Sequence, residues 1–320
     1  MTKDNCIICQ KHIFEISSKK DITNRTKLDW EFDSTFKLSG LKKAKCFLGF
    51  CISCIQISHY PVFNTNKLYT KNGFQVRKKI YEKYYHEKYN KRPKKILLKN
   101  EFDFAKNEFM RFEKISNFIT KNSKKFYSNK IDILDFGGGD GYVSQSFKNI
   151  IEANSNINVN INNFDPMKWK KTLNKFKKKK FDLIIMSHVI EHLNNPVVVI
   201  KRLKQEFLKK KGLIFVEVPD ERTRFIKLLA SQKIGLHYHV THHSRNSLKK
   251  IFEINKFDLI KTKYNYLSSY RGEKIKTIFC LAQNNNIRKN IKLKTSFKTY
   301  IYEFLSFFSL CFFSIKKIFS

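Results

Sequence analysis

Between residues 121 and 285 the apolar positions fall into short runs separated by stretches of helical spacing. In "KIDILDF" Ile131, Ile133 and Leu134 predict a buried strand that breaks at Gly137. Val143, Phe147 and Ile150/Ile151 then recur at helical intervals. Ile157, Val159 and Ile161 alternate toward a second strand ending at Asp165. "FDLIIMS" predicts another, ending near Ser187, followed by a helix, a glycine turn at Gly212 and a strand ending at Pro219. Strand, glycine turn and helix in succession make the first unit of a doubly wound α/β sheet, whose ligands lie at the carboxyl ends of the strands.

The flanks read differently. Residues 66–120 carry a Tyr- and Lys-dense stretch with aromatics three and four apart, ending near Pro93, and a second helix over roughly Asn100 to Thr120. We expect a helical connector or lid there. Residues 286–320 read as a basic linker and an aromatic amphipathic helix, with Phe304, Phe307, Phe308, Cys311 and Phe312 on one face. Its uncharged stretch is short for a membrane span. It suits either a peripheral membrane contact helped by Lys316 and Lys317, or packing on its own domain or a partner subunit.

Composition changes this picture little. The net charge of +37 in 320 residues invites a polyanionic partner, but it is mostly lysine spread along the whole chain among abundant Asn, Ile and Phe. That is the bias of an AT-rich genome, and we do not expect nucleic acid as a partner. "MTKDNCIICQKH" lacks the apolar core of a signal peptide, so a cytoplasmic location is expected. Seven cysteines make an odd disulfide set, whereas Cys6/Cys9 and Cys51/Cys54 form two CxxC pairs. Two such knuckles complete a closed tetrahedral zinc site, with Cys46 and His12 nearby as substitutes. Residues 1–65 therefore read as a small module stabilised by structural zinc, because metal binding supplies folding energy to a segment with a small core.

The loop "DFGGGDG" carries the sharper chemistry. Glycines let a ligand lie against the backbone, and the next helix offers unpaired N–H groups. A phosphate loop would need Gly-Lys-Ser/Thr, which is absent, and a dinucleotide loop G-x-G-x-x-G, whereas this one reads G-x-G-x-G. Asp135 and Asp140 would repel a pyrophosphate and welcome a cation. The pattern resembles motif I of the class I S-adenosylmethionine-dependent methyltransferases, whose ligand carries a sulfonium and an ammonium. "FDLIIMSHVIEHL" resembles their fourth-strand motif, with Glu191-His192-Leu193 as its tail, and the likeness runs in order from about residue 100 to 284. The resemblance implies a Rossmann-like sheet with helices on both faces. It also implies cofactor contacts from Asp135, Gly137, Gly139, Gly141 and Ser187, and a ribose contact from Asp165. His188, one residue past a strand end, would face either the methyl group or solvent.

The zinc-bearing front end resembles a finer group that includes sugar C-methyltransferases. Aligned on Ser244, His239 falls at that group's base, although Tyr238 stands where its glutamate would be and His242 and His243 replace its aromatics. Between Asp165 and Phe181 the family's third strand and its adenine-contacting acid have no place, so Trp169 or Met167 would flank the adenine. His237, His239, His242 and His243 could gather a metal, but no carboxylate neighbours them in sequence, and we do not expect one.

The sequence thus predicts S-adenosylmethionine-dependent methyl transfer to a small-molecule acceptor, a nucleotide-linked sugar being one. Two alternatives stay open: O-methylation of a membrane-proximal lipid or glycan, and a non-catalytic nucleic-acid-binding protein on a degenerate form of the fold.

Overall fold

The computed structural model describes residues 5–15, 47–60, 75–76, 109–123, 129–165, 176, 179–220, 239–268 and 274–285. Cys46, Met167, Trp169, His237, Tyr238, nearly all of the tyrosine-rich segment and the aromatic tail lie outside them. No described helix is long and apolar enough to cross a membrane.

The alternating runs form one six-stranded sheet. Its strands are β4 (Lys130–Phe136), β5 (Asn158–Phe164), β6 (Phe181–Ser187), β7 (Leu208–Pro219), β9 (Asp258–Ser268) and β10 (Lys274–Gln283), in the order β5-β4-β6-β7-β10-β9. The first four run parallel, and β10 lies antiparallel between β7 and β9. Order reverses at β4, whose neighbours are β5 and β6, so the chain leaves a crevice beside its carboxyl end. Among the described residues β5 is the edge strand, and nearly all of the segment between Asp165 and Phe181, where no third strand was expected, lies outside them.

Period-two alternation sends side chains to two cores. Ile131, Ile133, Leu183, Ile185, Leu213 and Phe215 face α1 (109–122) and α2 (Tyr142–Asn154), which contribute Ile115, Phe118, Val143 and Phe147. Leu134, Ile184, Met186, Ile214 and Val216 face α3 (Pro196–Arg202) and α4 (Arg245–Ile254) through Ile200, Leu248, Ile251 and Phe252. Helices therefore cover both faces, as expected for the doubly wound architecture. Pro196 at the first turn and the Asn195 side chain accepting from the Val198 amide start α3, and a π turn over Leu203–Phe207 ends it.

The expected turn at Gly212 takes another form. Gly212 lies inside β7, where pairing with β6 jumps from Phe181↔Leu208 to Leu183↔Leu213. A Cβ there would stand 2.9 Å from the Lys209 carbonyl, so glycine permits a tight bulge within the strand.

The N-terminal module is a four-stranded antiparallel sheet. It orders β1 (Phe14–Glu15), β2 (Phe47–Cys51), β3 (Gln56–Tyr60) and β8 (Thr241–His242). Its last strand comes from far along the chain. Ile7, Ile8, Ile13 and Tyr60 join the same core as α3 and α4, so the module is packed onto the larger sheet.

Candidate functional site

The glycine loop closes the top of β4. Gly137, Gly139 and Gly141 all take positive φ (78°, 55° and 79°), the left-handed region that side chains disfavour. The Gly137 amide donates to the Phe164 carbonyl, and Asn163 Nδ2 to the Gly139 carbonyl, tying the loop to β5. Gly141 is the N-cap of α2 with no side-chain cap, so Asp140 does not serve that role. Gly138, which the motif leaves unassigned, is the tightest position: a Cβ there would fall on the Asp135 carboxyl. Gly137 likewise makes room for Val189, which presses the segment after β6 against the loop.

Asp135 is the penultimate residue of β4 and is 1 % exposed, and neither carboxylate oxygen has an aligned hydrogen bond, although Ser144 is close by. Burial pushes its carboxyl up to about 6, against the opposing pull of the Ser144 hydroxyl and amide and with a smaller push from the Asp165 charge. Asp165, one residue beyond β5 and 8 % exposed, stands across the loop with Oδ2 facing Gly139. Two buried acids around a bare backbone make a cradle for a cationic ligand bearing hydroxyls. A pH dependence follows. Below about pH 6 Asp135 holds a proton that a bound cation must displace. S-adenosylmethionine affinity should therefore rise by up to about tenfold per pH unit toward pH 6 and flatten above it, one proton being released. A flat profile from pH 5 to 8, measured by calorimetry, would remove Asp135 from the site.

A second group of charges lies past β6. Ser187 faces Glu217 across the β6–β7 ladder, donating to Oε2 at 2.6 Å, while Arg111 of α1 donates to the same oxygen at 2.7 Å and to Ser187 Oγ at 3.0 Å. Ser187 is thus built into an ion-pair network. His188 takes a left-handed φ of 54°, a strained value for a β-carbon residue, with its amide on the Glu217 carbonyl. Its ring sits between two acids, Nδ1 3.3 Å from Glu191 Oε1 and Nε2 3.8 Å from Glu217 Oε1. Burial opposes a charge on His188, but Glu217 and Glu191 carry it above its usual range.

The histidines around position 240 separate into distinct places. His239 stacks edge-on against His192 at 4.7 Å, and the Val240 amide bonds the Glu191 carbonyl. His242 Nε2 lies 3.4 Å from His59 Nε2 inside the module's sheet. Burial pushes His243 down to about 4, and its Nδ1 pairs with Ser247 Oγ, a packing role. The carboxylate lacking from the local sequence arrives from the Ile190–His192 3₁₀ turn. It is Glu191, 1 % exposed, beside His188, His192 and His239. Burial would raise its pKa, yet those imidazoles outweigh burial and hold the carboxyl at about 2.

The four module cysteines converge. Cys6 and Cys54 sulfurs are 3.9 Å apart, Cys9 and Cys51 3.6 Å, and all four lie within 4.8 Å of one another. A disulfide would need about 2.05 Å. Zinc–sulfur bonds of about 2.3 Å in a tetrahedron set sulfurs about 3.8 Å apart, which this spacing matches. Gln56 Nε2 and the Ile8 amide point hydrogens at Cys6 Sγ, as thiolate ligands require.

Sequence reading placed Asp135, Asp165, the three left-handed glycines and all four cysteines where the fold gathers them. It named Glu191 only as part of a motif tail and passed over Glu217, Arg111 and Gly138. A lone glutamate within the apolar run "LIFVEVP" was the visible signal for Glu217.

Residues 107–262 match the family model of a methyltransferase domain. Over 115 residues the chain is 30 % identical to the ubiquinone biosynthesis O-methyltransferase of Pelagibacter ubique (strain HTCC1062), covering 32 % of this chain and 47 % of that protein. The chain thus spans about half the length of this curated relative. Among solved structures, a SAM-dependent methyltransferase of Methanosarcina mazei is 14 % identical, covers 50 % of this chain and 95 % of its own, and superposes with a TM-score of 0.36. The plantazolicin methyltransferase BpumL, solved with SAH, is 14 % identical over 62 % of this chain and 93 % of its own, at a TM-score of 0.36.

Proposed function

We propose that this chain, which carries a methyltransferase domain on a Rossmann-like sheet, moves a methyl group from S-adenosylmethionine to a small-molecule acceptor. The carrying observation is the cradle itself: three left-handed glycines between buried Asp135 and Asp165 at the point where strand order reverses. Asp165 would take two donors from a ribose cis-diol, and Asp135 would meet the cationic end of the amino acid. The sulfonium, when bound, supplies an already activated methyl group, so the protein's task is alignment and proton removal. His188, at the end of β6 between Glu191 and Glu217, is our proposed base, because two fixed carboxylates orient the ring and stabilise its protonated form. Arg111 and Ser187 hold Glu217 in place for that task. His239 lines the same edge next to Glu191.

We take the acceptor to be an oxygen or carbon acid, with a nucleotide-linked sugar among the candidates and O-methylation supported by the curated relative's name. Structural zinc in the four-cysteine site and a cytoplasmic setting that keeps those thiols reduced belong to the same proposal. Calorimetric titration of S-adenosylhomocysteine into wild type and Asp165→Ala tests it. We expect micromolar binding in the wild type and a loss of about tenfold or more in the variant, since a bidentate carboxylate contact contributes about 1.5–3 kcal/mol. Folded wild type that fails to bind would reject the enzyme reading and favour a binding module.

A further inference from the structure

We propose that Glu191, His192 and His239 form a site for a divalent transition-metal cation, separate from the four-cysteine site. One ligand atom from each lies within 4.8 Å of the others. Two segments far apart in sequence are pinned together to make it: the 3₁₀ turn Ile190–His192 and the stretch beginning at His239, joined by the Val240 amide on the Glu191 carbonyl at 2.8 Å.

The second observation is the state of Glu191. The residue is 1 % exposed, and neither carboxylate oxygen accepts an aligned hydrogen bond, although His188 Nδ1 is 3.3 Å from Oε1. The imidazoles of His188, His192 and His239 favour the charged carboxylate, yet its oxygens keep unused acceptor capacity that a cation held with His192 and His239 would take up. Two imidazoles and one carboxylate suit Mn²⁺, Fe²⁺, Co²⁺ or Zn²⁺ better than Mg²⁺ or Ca²⁺, which take oxygen. His192 and His239 are only partly buried, so the remaining coordination positions face outward, unlike the closed thiolate set. His188 keeps its ion pair with Glu217 and completes the surroundings of Glu191 rather than the ligand set.

The site stands on these three residues and does not need the methyl-transfer reading. Zinc-loaded full-length protein is titrated with Mn²⁺, read by the electron paramagnetic resonance of the free ion, because thiolates take Mn²⁺ poorly. We expect one Mn²⁺ per chain, weakened by more than about 100-fold in Glu191→Gln and in His239→Asn, beyond the range of about 10–100-fold for an outer-sphere partner. Absence of saturable binding to folded wild type, or wild-type affinity in both variants, overturns the proposal. If the buried Glu191→Gln substitution melts the protein, the partly exposed His239→Asn decides alone. S-adenosylhomocysteine binding on the same samples separates the two ideas: Mn²⁺ bound without it leaves this site standing while the donor site falls.

Discussion

Gly138→Ala will weaken S-adenosylhomocysteine binding by about 100-fold, more than the same change at Gly139. The reason is contact and not conformation. At Gly139 φ is +55° but the nearest atom to an added Cβ, Asp165 Oδ2, is 3.8 Å away, so alanine there carries only the left-handed penalty of about 1–2 kcal/mol. At Gly138 the new methyl falls on the Asp135 carboxyl, which is 1 % exposed and has no open direction to swing. Either the loop lifts or the carboxyl leaves its place, and both dismantle the cradle. Calorimetry on the two alanine variants, with melting curves to confirm folding, reads the difference. If Gly139→Ala proves the worse, Asp135 does not define the site.

On the proposed zinc reading, stripping the metal or replacing Cys54 by serine will lower the melting temperature by about 7 °C. In a chain of 320 residues that corresponds to about 5 kcal/mol, below the apparent binding energy of structural zinc in small peptides. The loss should not stay within the module. The Cys54 carbonyl accepts from Ser244 Oγ, which also caps α4, while Ser58 Oγ meets Thr241 Oγ1 and the His59 amide donates to the Val240 carbonyl. Amides of Val240 and Ser244 should therefore exchange with solvent faster once the metal is removed. Unchanged exchange there, in metal-free protein, would show that the cysteine cluster does not support the histidine edge of the site.

What the sequence made legible was local. Left-handed glycines, strand alternation and CxxC knuckles each announce themselves within a few residues, because the constraint acts on neighbouring backbone. Asp135 and Asp165 were found because each sits at the end of an alternating run. Glu191 looked like a motif tail, since its partners include His239, 48 positions on, and nothing nearby marks that approach. Gly138 was passed over for a related reason: its need for glycine comes from the side chain three residues before it, which only the loop's path reveals. Gly212 went the other way, its apparent turn being absorbed as a bulge within a strand paired on both sides.

The two-residue strand β8 also bears on how the chain is made. Ser58 waits for Thr241, 183 residues later, before the N-terminal sheet has its fourth strand. Cysteine knuckles made long before Thr241 can take up metal early, but the sheet around them closes only once β8 has been synthesised. Until then the backbone of β3 presents an unpaired edge, one to which a second nascent chain could add. On the proposed zinc reading, early metal capture would anchor the Cys51–Cys54 turn that leads into that edge, so that zinc supply would bear on yield as well as on stability.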